Sequence, residues 1–278
     1  MSVLVVGARG AVGGGVVRGL LERGVEVVAT SRRPEQLDLP ASVRTAAADH
    51  DEPTSLTPAL VGVDRVFLYA DTSDPEGLLA VVAAAGVRHV VLLSSSAVTF
   101  PGAHDDFNGA RFLRVEAAAR ASGLEHTFLR PGAFAANAAH WSWSVRRGTP
   151  VPLPYPDAVQ APVHERDVAD VAVAALTGDS LTGCAPVLTG PERLTLRQQV
   201  DVLGQVVGRP TGVHEQTEEE AFALLSQHVP EVWARQLIGD WRRAVGTAPA
   251  LSAEYERITG RRPRPFRTWV EDNVALFR

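Results

Sequence analysis

The chain has 278 residues, 45% of them hydrophobic and 21% charged, the makeup of an ordinary globular protein with room for one α/β domain and an elaboration, or two joined lobes. Its 27 basic and 32 acidic side chains leave a formal charge of -5, which argues against nucleic acid or a membrane surface as the main partner. A single cysteine, Cys184, excludes a disulfide framework and a multi-cysteine zinc site, and no apolar run reaches the roughly 18 residues of a membrane span.

The apolar run Val3–Val6 predicts a first strand, which leaves no signal peptide to expect and makes a cytoplasmic setting the expectation. Ala11–Arg23 reads as a helix, with Val12, Val16, Leu20 and Arg23 stepping along one face. Strands are predicted at Val25–Ala29, Val43–Ala47, Arg65–Tyr69, His89–Leu93 and His126–Leu129, each β-branched or continuously apolar as in a sheet covered on both faces. Helices are predicted between them at Ser55–Val61, Pro75–Ala85 and Asp105–Ser122. Gly24, Gly86 and Gly123 each fall between a helix and a strand, where a left-handed cap is wanted. This alternation implies right-handed crossovers and a doubly wound parallel sheet; a flavodoxin-like sheet is the runner-up, disfavoured by the glycine spacing after the first strand.

That spacing is Gly7-Ala8-Arg9-Gly10-Ala11-Val12-Gly13, placed between the first strand and the first helix. Gly7 suits a tight turn, Gly10 a close approach of backbone to a pyrophosphate, and Gly13 close helix–strand packing. With Ala11 and Val12 the loop offers amide donors and the positive end of a helix dipole. It reads as a dinucleotide site of Rossmann type. The second strand runs into Ser31-Arg32-Arg33-Pro34, with no acid before Glu35. NAD-preferring sites place a carboxylate there for the ribose hydroxyls; two guanidinium groups and a hydroxyl instead suit a 2′-phosphate, and Arg9 could reach the same group. The expected cofactor is therefore NADP(H). Asp49 and His50, after the third strand, and Tyr69 and Ala70, after the fourth, are expected along its adenosine half, although Asp49 and Asp51 suit turn caps equally well.

Beyond Arg130-Pro131-Gly132 the texture changes. Ala133–Arg147 reads as a helix, followed by a segment with Pro150, Pro152, Pro154 and Pro156, a helix at Arg166–Leu176 and a strand at Ala185–Leu188. Thr195-Leu196-Arg197-Gln198 and Thr217-Glu218-Glu219-Glu220 read as capping boxes, and Pro230–Val245 as another helix. Asp167 and Asp170 read as caps and dipole compensation near a helix start, and Arg261-Arg262-Pro263-Arg264 as a solvated turn. The division expected is a dinucleotide-binding domain over 1–132 and a smaller mixed lobe over 133–278 that holds a small-molecule substrate, with some interleaving. Of Trp141 and Trp143, two apart and so on different helix faces, one is expected in the core and the other, with Phe134, Asn137 and His140, along a substrate cleft.

The ordered set Gly7–Gly13, Arg32, Asp49, Ala85–Ser95, Glu116, Ser122-Gly123-Leu124, Leu129–Phe134 with Asn137, Asp167-Val168-Ala169, Leu188–Pro191 and Gly260–Trp269 resembles the NmrA-like atypical short-chain dehydrogenase/reductases. The resemblance implies a nicotinamide passing Ser94-Ser95 and Pro131 to Phe134, Ala133 included. It implies reduction of quinones, enones or dyes, or else a catalytically silent cofactor-sensing role; an isomerase or cyclase use of the same fold is a third alternative. Ordinary members of the wider group use a Tyr and a Lys four residues later for proton transfer. None of Tyr69, Tyr155 and Tyr255 is so followed; with Glu116 as anchor those places fall on Asn108 and Phe112, or one residue earlier on Phe107 and Arg111. Ser95, Tyr155 and His164 are the remaining candidates for a proton donor. No metal is expected, and a monomer or homodimer is. Heavy use of alanine, valine, arginine and glycine fits a GC-rich bacterial genome.

Overall fold

The computed structural model describes residues 1–69 and 72–278. In chain order the elements are β1 (Ser2–Val6), α1 (Ala11–Leu21), β2 (Glu26–Ser31), β3 (Arg44–Ala47), β4 (Arg65–Tyr69), α2 (Pro75–Ala84), β5 (His89–Leu93), α3 (Phe107–Ala121) and β6 (Glu125–Pro131). They continue with α4 (Ser142–Arg147), β7 (Val151–Leu153), β8 (Val159–Gln160), α5 (Glu165–Thr177), β9 (Val187–Leu188), β10 (Leu194–Thr195), α6 (Leu196–Val207) and β11 (Val213–Glu215). Helices α7 (Glu218–Leu225), α8 (Glu231–Ala244), α9 (Glu254–Thr259) and α10 (Phe266–Asp272) complete the chain. A seven-stranded sheet has the order β3-β2-β1-β4-β5-β6-β9, parallel throughout. This is the doubly wound Rossmann order, with its reversal between β1 and β4, and not the flavodoxin order. All five residues of β1 and of β5 are buried, as helices on both faces require.

Two compact units divide the chain. The first comprises Met1–Pro131, Glu165–Leu188 and Glu254–Arg261; the second comprises Gly132–His164, Thr189–Ala253 and Arg262–Arg278. What brings α5 into the first unit is a glycine face on α1. A Cβ on Gly15 would lie 2.8 Å from Ala169 Cβ, and one on Gly19 would lie 2.9 Å from Val173 Cγ2. The two glycines, four apart, let α5 lie against the α1 backbone. Asp170 on α5 then accepts from Tyr255 Oη at 2.9 Å and pairs with Arg261 at 2.9 Å, so it holds the α9 segment rather than compensating a helix dipole. Arg261 makes this pair from an exposed bend, with its side chain still 54% accessible.

At the amino ends of the strands lies a directed polar chain. Arg65, 4% exposed, donates to the carbonyls of Ala175 and Gly178 at 3.1 and 2.7 Å and pairs with Asp179. Thr127 gives its one hydroxyl hydrogen to the Leu181 carbonyl at 2.7 Å, so His89 Nε2, 2.9 Å from Thr127 Oγ1, must be the donor in that contact. His89 Nδ1 is then left to accept from Arg65 at 3.5 Å. Burial, aided by the Arg65 charge, pushes the His89 pKa down to about 4.

Where sequence expectations and elements differ, a local cause is visible. Ser55–Val61 is not an α-helix; a 3-10 turn at Pro53–Leu56 stands there, and Pro58 lacks the N–H that a continuing helix would use. The helix expected from Ala133 is a 3-10 run over Ala135–Trp141 followed by α4, because Ala133 and Phe134 are extended by pairing with Val163. In the second unit, both expected capping boxes form, at Thr195 with Gln198 and at Thr217 with Glu220. Its core gathers Leu153, Leu196, Leu203, Phe266, Trp269 and Phe277. Among the described residues no helix is long and apolar enough to cross a membrane.

Two outcomes follow. Gly15→Val should lose about 1–3 kcal/mol of stability to overpacking against Ala169, read as a lower urea midpoint at unchanged slope. For His89 the folded pKa lies below its unfolded value of 6.5, so only the unfolded chain takes up the proton between pH 6.5 and about 4. Stability should therefore fall across that window as pH drops, by at most about 3 kcal/mol from this group. His89→Gln should flatten that part of the profile in denaturant titrations.

Candidate cofactor-binding site

The glycine loop is built around one contact. Gly7 turns at φ 77°, and a Cβ on Gly13 would stand 2.3 Å from the Gly7 carbonyl oxygen, so no side chain fits at residue 13. Gly10 is the N-cap of α1; it has no side chain to cap with, and the first turn holds no acidic residue. The amide groups that open α1 are thus left to a ligand, beside the positive end of the helix dipole. That arrangement fits a pyrophosphate.

At the end of β2, Ser31 Oγ accepts the Arg33 amide at 3.1 Å, and Arg9 reaches across from the glycine loop to Gln36 Oε1 at 3.0 Å. Arg32 faces a cavity of about 540 Å³ with His50 and Asp51 from the β3 loop, Tyr69, Thr72 and Ser73 at the end of β4, and Arg111 from α3. The wall is braced internally. Asp51 accepts from the Ser73 amide at 2.8 Å and its hydroxyl at 3.1 Å, Thr72 donates to the His50 carbonyl at 2.9 Å, and the His50 and Tyr69 rings meet edge to face. The Ser73 amide holds the Asp51 carboxyl below its usual range, against a smaller opposing effect of burial.

Of the residues expected along the adenosine half, Arg32, His50 and Tyr69 line this cavity. Asp49 stands in the adjoining turn, where its carboxylate accepts the Asp51 amide at 3.1 Å, the turn-cap alternative. Ala70 lies outside the described residues. Sequence reasoning missed Thr72, Ser73 and Arg111 as lining residues. Arg111 carried a signal, one place before the position of the absent lysine, and the chain contains no lysine at all.

At the carboxyl end of β5 the two serines differ in what their hydroxyl hydrogens can do. Ser94 donates to the buried Glu116 carboxylate at 2.7 Å, which is also gripped by Arg130 at 2.9 and 2.6 Å and by Arg120 at 2.9 Å. Burial alone would raise the Glu116 pKa, but the bonds from Arg130 and Ser94 outweigh it and hold the carboxyl low. Ser95 Oγ accepts the Ala97 amide at 3.1 Å, and that contact leaves its hydrogen to donate elsewhere. Pro131 ends β6, buried; Ala133 and Phe134 belong to the second unit, as do Tyr155 and His164. The Tyr155 hydroxyl donates to Glu218, and this bond raises the phenol pKa; Arg242 grips the same carboxylate at 2.7 Å through each of two nitrogens. His164, 3% exposed, lies 3.4 Å from Asp272 Oδ2. Trp141 packs on the second-unit core, whereas Trp143 is 61% exposed under the Arg147 guanidinium.

A family model described as NAD(P)H-binding matches residues 7–179. The chain belongs to this NAD(P)H-binding family, as an NmrA-like atypical short-chain dehydrogenase/reductase. It is 40% identical over 281 residues to a (4-alkanoyl-5-oxo-2,5-dihydrofuran-3-yl)methyl phosphate reductase of Streptomyces griseus, covering 99% of each chain. It is 29% identical over 289 residues to an NAD(P)H azoreductase of Xenophilus azovorans, again with 99% of each chain covered. Among solved structures, an Escherichia coli NADPH-dependent quinone oxidoreductase complexed with NADPH superposes with a TM-score of 0.83 at 20% identity, over 99% of this chain and 100% of that one.

Arg32→Ala tests the phosphate assignment. It should raise the Kd for NADPH about 10–100-fold, the worth of a charge-assisted pair, and leave NADH within about twofold, as read by quenching of intrinsic fluorescence. Equal losses for both dinucleotides would remove Arg32 from the 2′-phosphate.

Proposed function

We propose that the chain is an NADPH-dependent reductase of a small conjugated carbonyl compound, with an alkene activated by two carbonyl groups as its substrate type. The observation that carries this reading is the 40% identity, end to end, with the dihydrofuranone phosphate reductase. The ring alkene in that relative's named substrate is conjugated both to the lactone carbonyl and to the alkanoyl carbonyl. Quinones and enones, to which the wider resemblance points, share this kind of electrophile. The preference for NADPH is supported by Arg32 on the cavity and by the lack of an acid between β2 and Glu35.

The reduced nicotinamide supplies the hydride. The β-carbon of the substrate gains it, the alkene π pair moves towards the two carbonyls as an enolate, and a proton from water completes the α-carbon. The charge so formed is shared by two oxygens, so little acid help is needed, which suits a chain without the Tyr and Lys pair. Protein groups then have to orient the substrate and offer a hydrogen bond to an enolate oxygen. Of the three candidate donors, we take Ser95 forward, because its hydrogen is not consumed by the Ala97 contact, whereas that of Tyr155 is given to Glu218. The lobe after Gly132 is the proposed substrate binder.

The purified protein with NADPH and a 4-alkanoyl-dihydrofuranone methyl phosphate should consume the dinucleotide and yield the saturated lactone. Deuterium from C4-labelled NADPH should appear at the ring carbon that bears the phosphomethyl group. Ser95→Ala should lower kcat about 10–100-fold while sparing the Kd for NADPH, and Tyr155→Phe and His164→Gln should stay within about twofold. Faster turnover of simple ketones than of conjugated substrates would refute the proposal.

A further inference from the structure

The segment that leaves β5 holds an apolar side chain in the open. Phe100 ends the 3-10 turn Ser96–Thr99 that follows Ser95, and it is 61% exposed. No ring or cation among the described residues stacks on it. The backbone that presents it is braced. The Phe100 amide donates to the Ala97 carbonyl at 3.4 Å, and the Phe100 carbonyl accepts the Ala103 amide at 3.1 Å. Gly102 turns at φ 78°, and Ala103 is buried. A Cβ on Gly109 would stand 2.3 Å from the Ala103 carbonyl oxygen, so the α3 backbone closes directly on this loop. A phenyl ring kept in water on a fixed loop gains from any apolar ligand that covers it, with little ordering cost.

Chain geometry keeps Phe100 near Ser95. The Val98 amide bonds the Ser95 carbonyl and the Phe100 amide the Ala97 carbonyl, so the five steps between residues 95 and 100 are coiled and span on the order of 10 Å. On the reading proposed above, Ser95 donates to an enolate oxygen. Where that oxygen belongs to the acyl group, the alkyl chain begins two bonds away, beside Ser95, and an extended chain runs towards the Phe100 ring. The loop also discriminates between the two substituents of the proposed dihydrofuranone. Residues 96–106 contain no Arg or Lys and end in Asp105 and Asp106. Those carboxylates repel a phosphate and leave the alkyl chain as the substituent that suits this loop. We propose that Phe100 is a specificity-determining residue that covers the acyl chain of the substrate and selects long acyl groups over acetyl. The proposal rests on the assignment of Ser95 as the donor and deepens it.

The test is a calorimetric titration of the NADP+ complex with 4-acyl-dihydrofuranone methyl phosphates bearing acetyl, butanoyl, hexanoyl and octanoyl chains. In the parent chain the Kd should fall about twofold to fourfold per added methylene, the upper figure being that of complete burial. Phe100→Ala should flatten this dependence and leave the acetyl compound within about twofold of the parent, with Phe100→Leu in between. An unchanged Kd for NADP+ checks folding; should the Ala variant lose it, the Leu variant decides on the same criterion. Equal slopes in parent and variant would overturn the assignment, as would an equal loss at every chain length or no dependence on length in the parent. NADP+ delivers no hydride, so the slope is read whether or not reduction occurs. A Phe100-dependent slope without turnover by NADPH would sink the proposed reaction alone, and turnover without such a slope would sink this inference alone.

Discussion

The close approach of α1 to its neighbours is the constraint on which most of the molecule depends. Gly13 lets the helix cross the Gly7 carbonyl, and Gly15 with Gly19 lets α5 settle against its opposite flank. Each glycine in a helix interior costs up to about 1 kcal/mol relative to alanine. The return is dispersion contact along the full length of two helices, and a loop turned so that unbonded amides open α1. The turn of the glycine loop and the recruitment of 165–177 into the first unit are therefore consequences of glycines on two faces of one helix.

Charge is used in two opposite ways around that frame. Glu116 is fully buried and saturated by Ser94, Arg120 and Arg130; such a carboxylate orders its neighbours, and removing any one donor leaves a buried charge short of partners. Its effect reaches the cofactor end of β5 by committing the Ser94 hydrogen, which distinguishes Ser94 from its neighbour Ser95. Arg32 and Arg33, in contrast, are exposed at the end of β2 with no acid before Glu35. The buried network fixes positions; on the proposed reading, the exposed Arg32 is the cation that meets the cofactor's 2′-phosphate.

The parallel sheet was legible in the sequence because strands covered on both faces are written as continuous β-branched runs, and β1, β2, β4 and β5 carry that pattern. The capping boxes at Thr195 and Thr217 were legible because they are local. What could not be read was partnership across long separations. Periodicity reports that a residue is covered, and it does not report by what; so Asp170 looked like a helix-start acid, and its bond to Tyr255, 85 residues on, left no trace. Gly15 and Gly19 were the missed signal, since a small-residue pair spaced by four on an otherwise apolar helix marks a close helix neighbour. At the cavity, Arg32 was found through the absence of an acid after β2, whereas Arg111 joins the lining only because the fold brings a residue of α3 to the same cavity as Tyr69.

The missing proton-transfer pair bears on specificity as well as on rate. Hydride addition to a simple ketone generates an alkoxide, a base far too strong to form without a positioned acid, and the described donors near β5 are hydroxyls rather than an activated phenol. Hydride addition to an alkene shared by two carbonyls generates a weakly basic enolate, for which one hydrogen bond and solvent suffice. On the proposed reading, a chain that holds NADPH but lacks a strong acid discriminates against ordinary ketones without a pocket shaped to exclude them. The limit on its chemistry is then set by the electronic demand of the substrate. The same loss that would disable an alcohol dehydrogenase becomes the source of selectivity for conjugated acceptors, with Ser95 and the orientation of the substrate left to supply the rest.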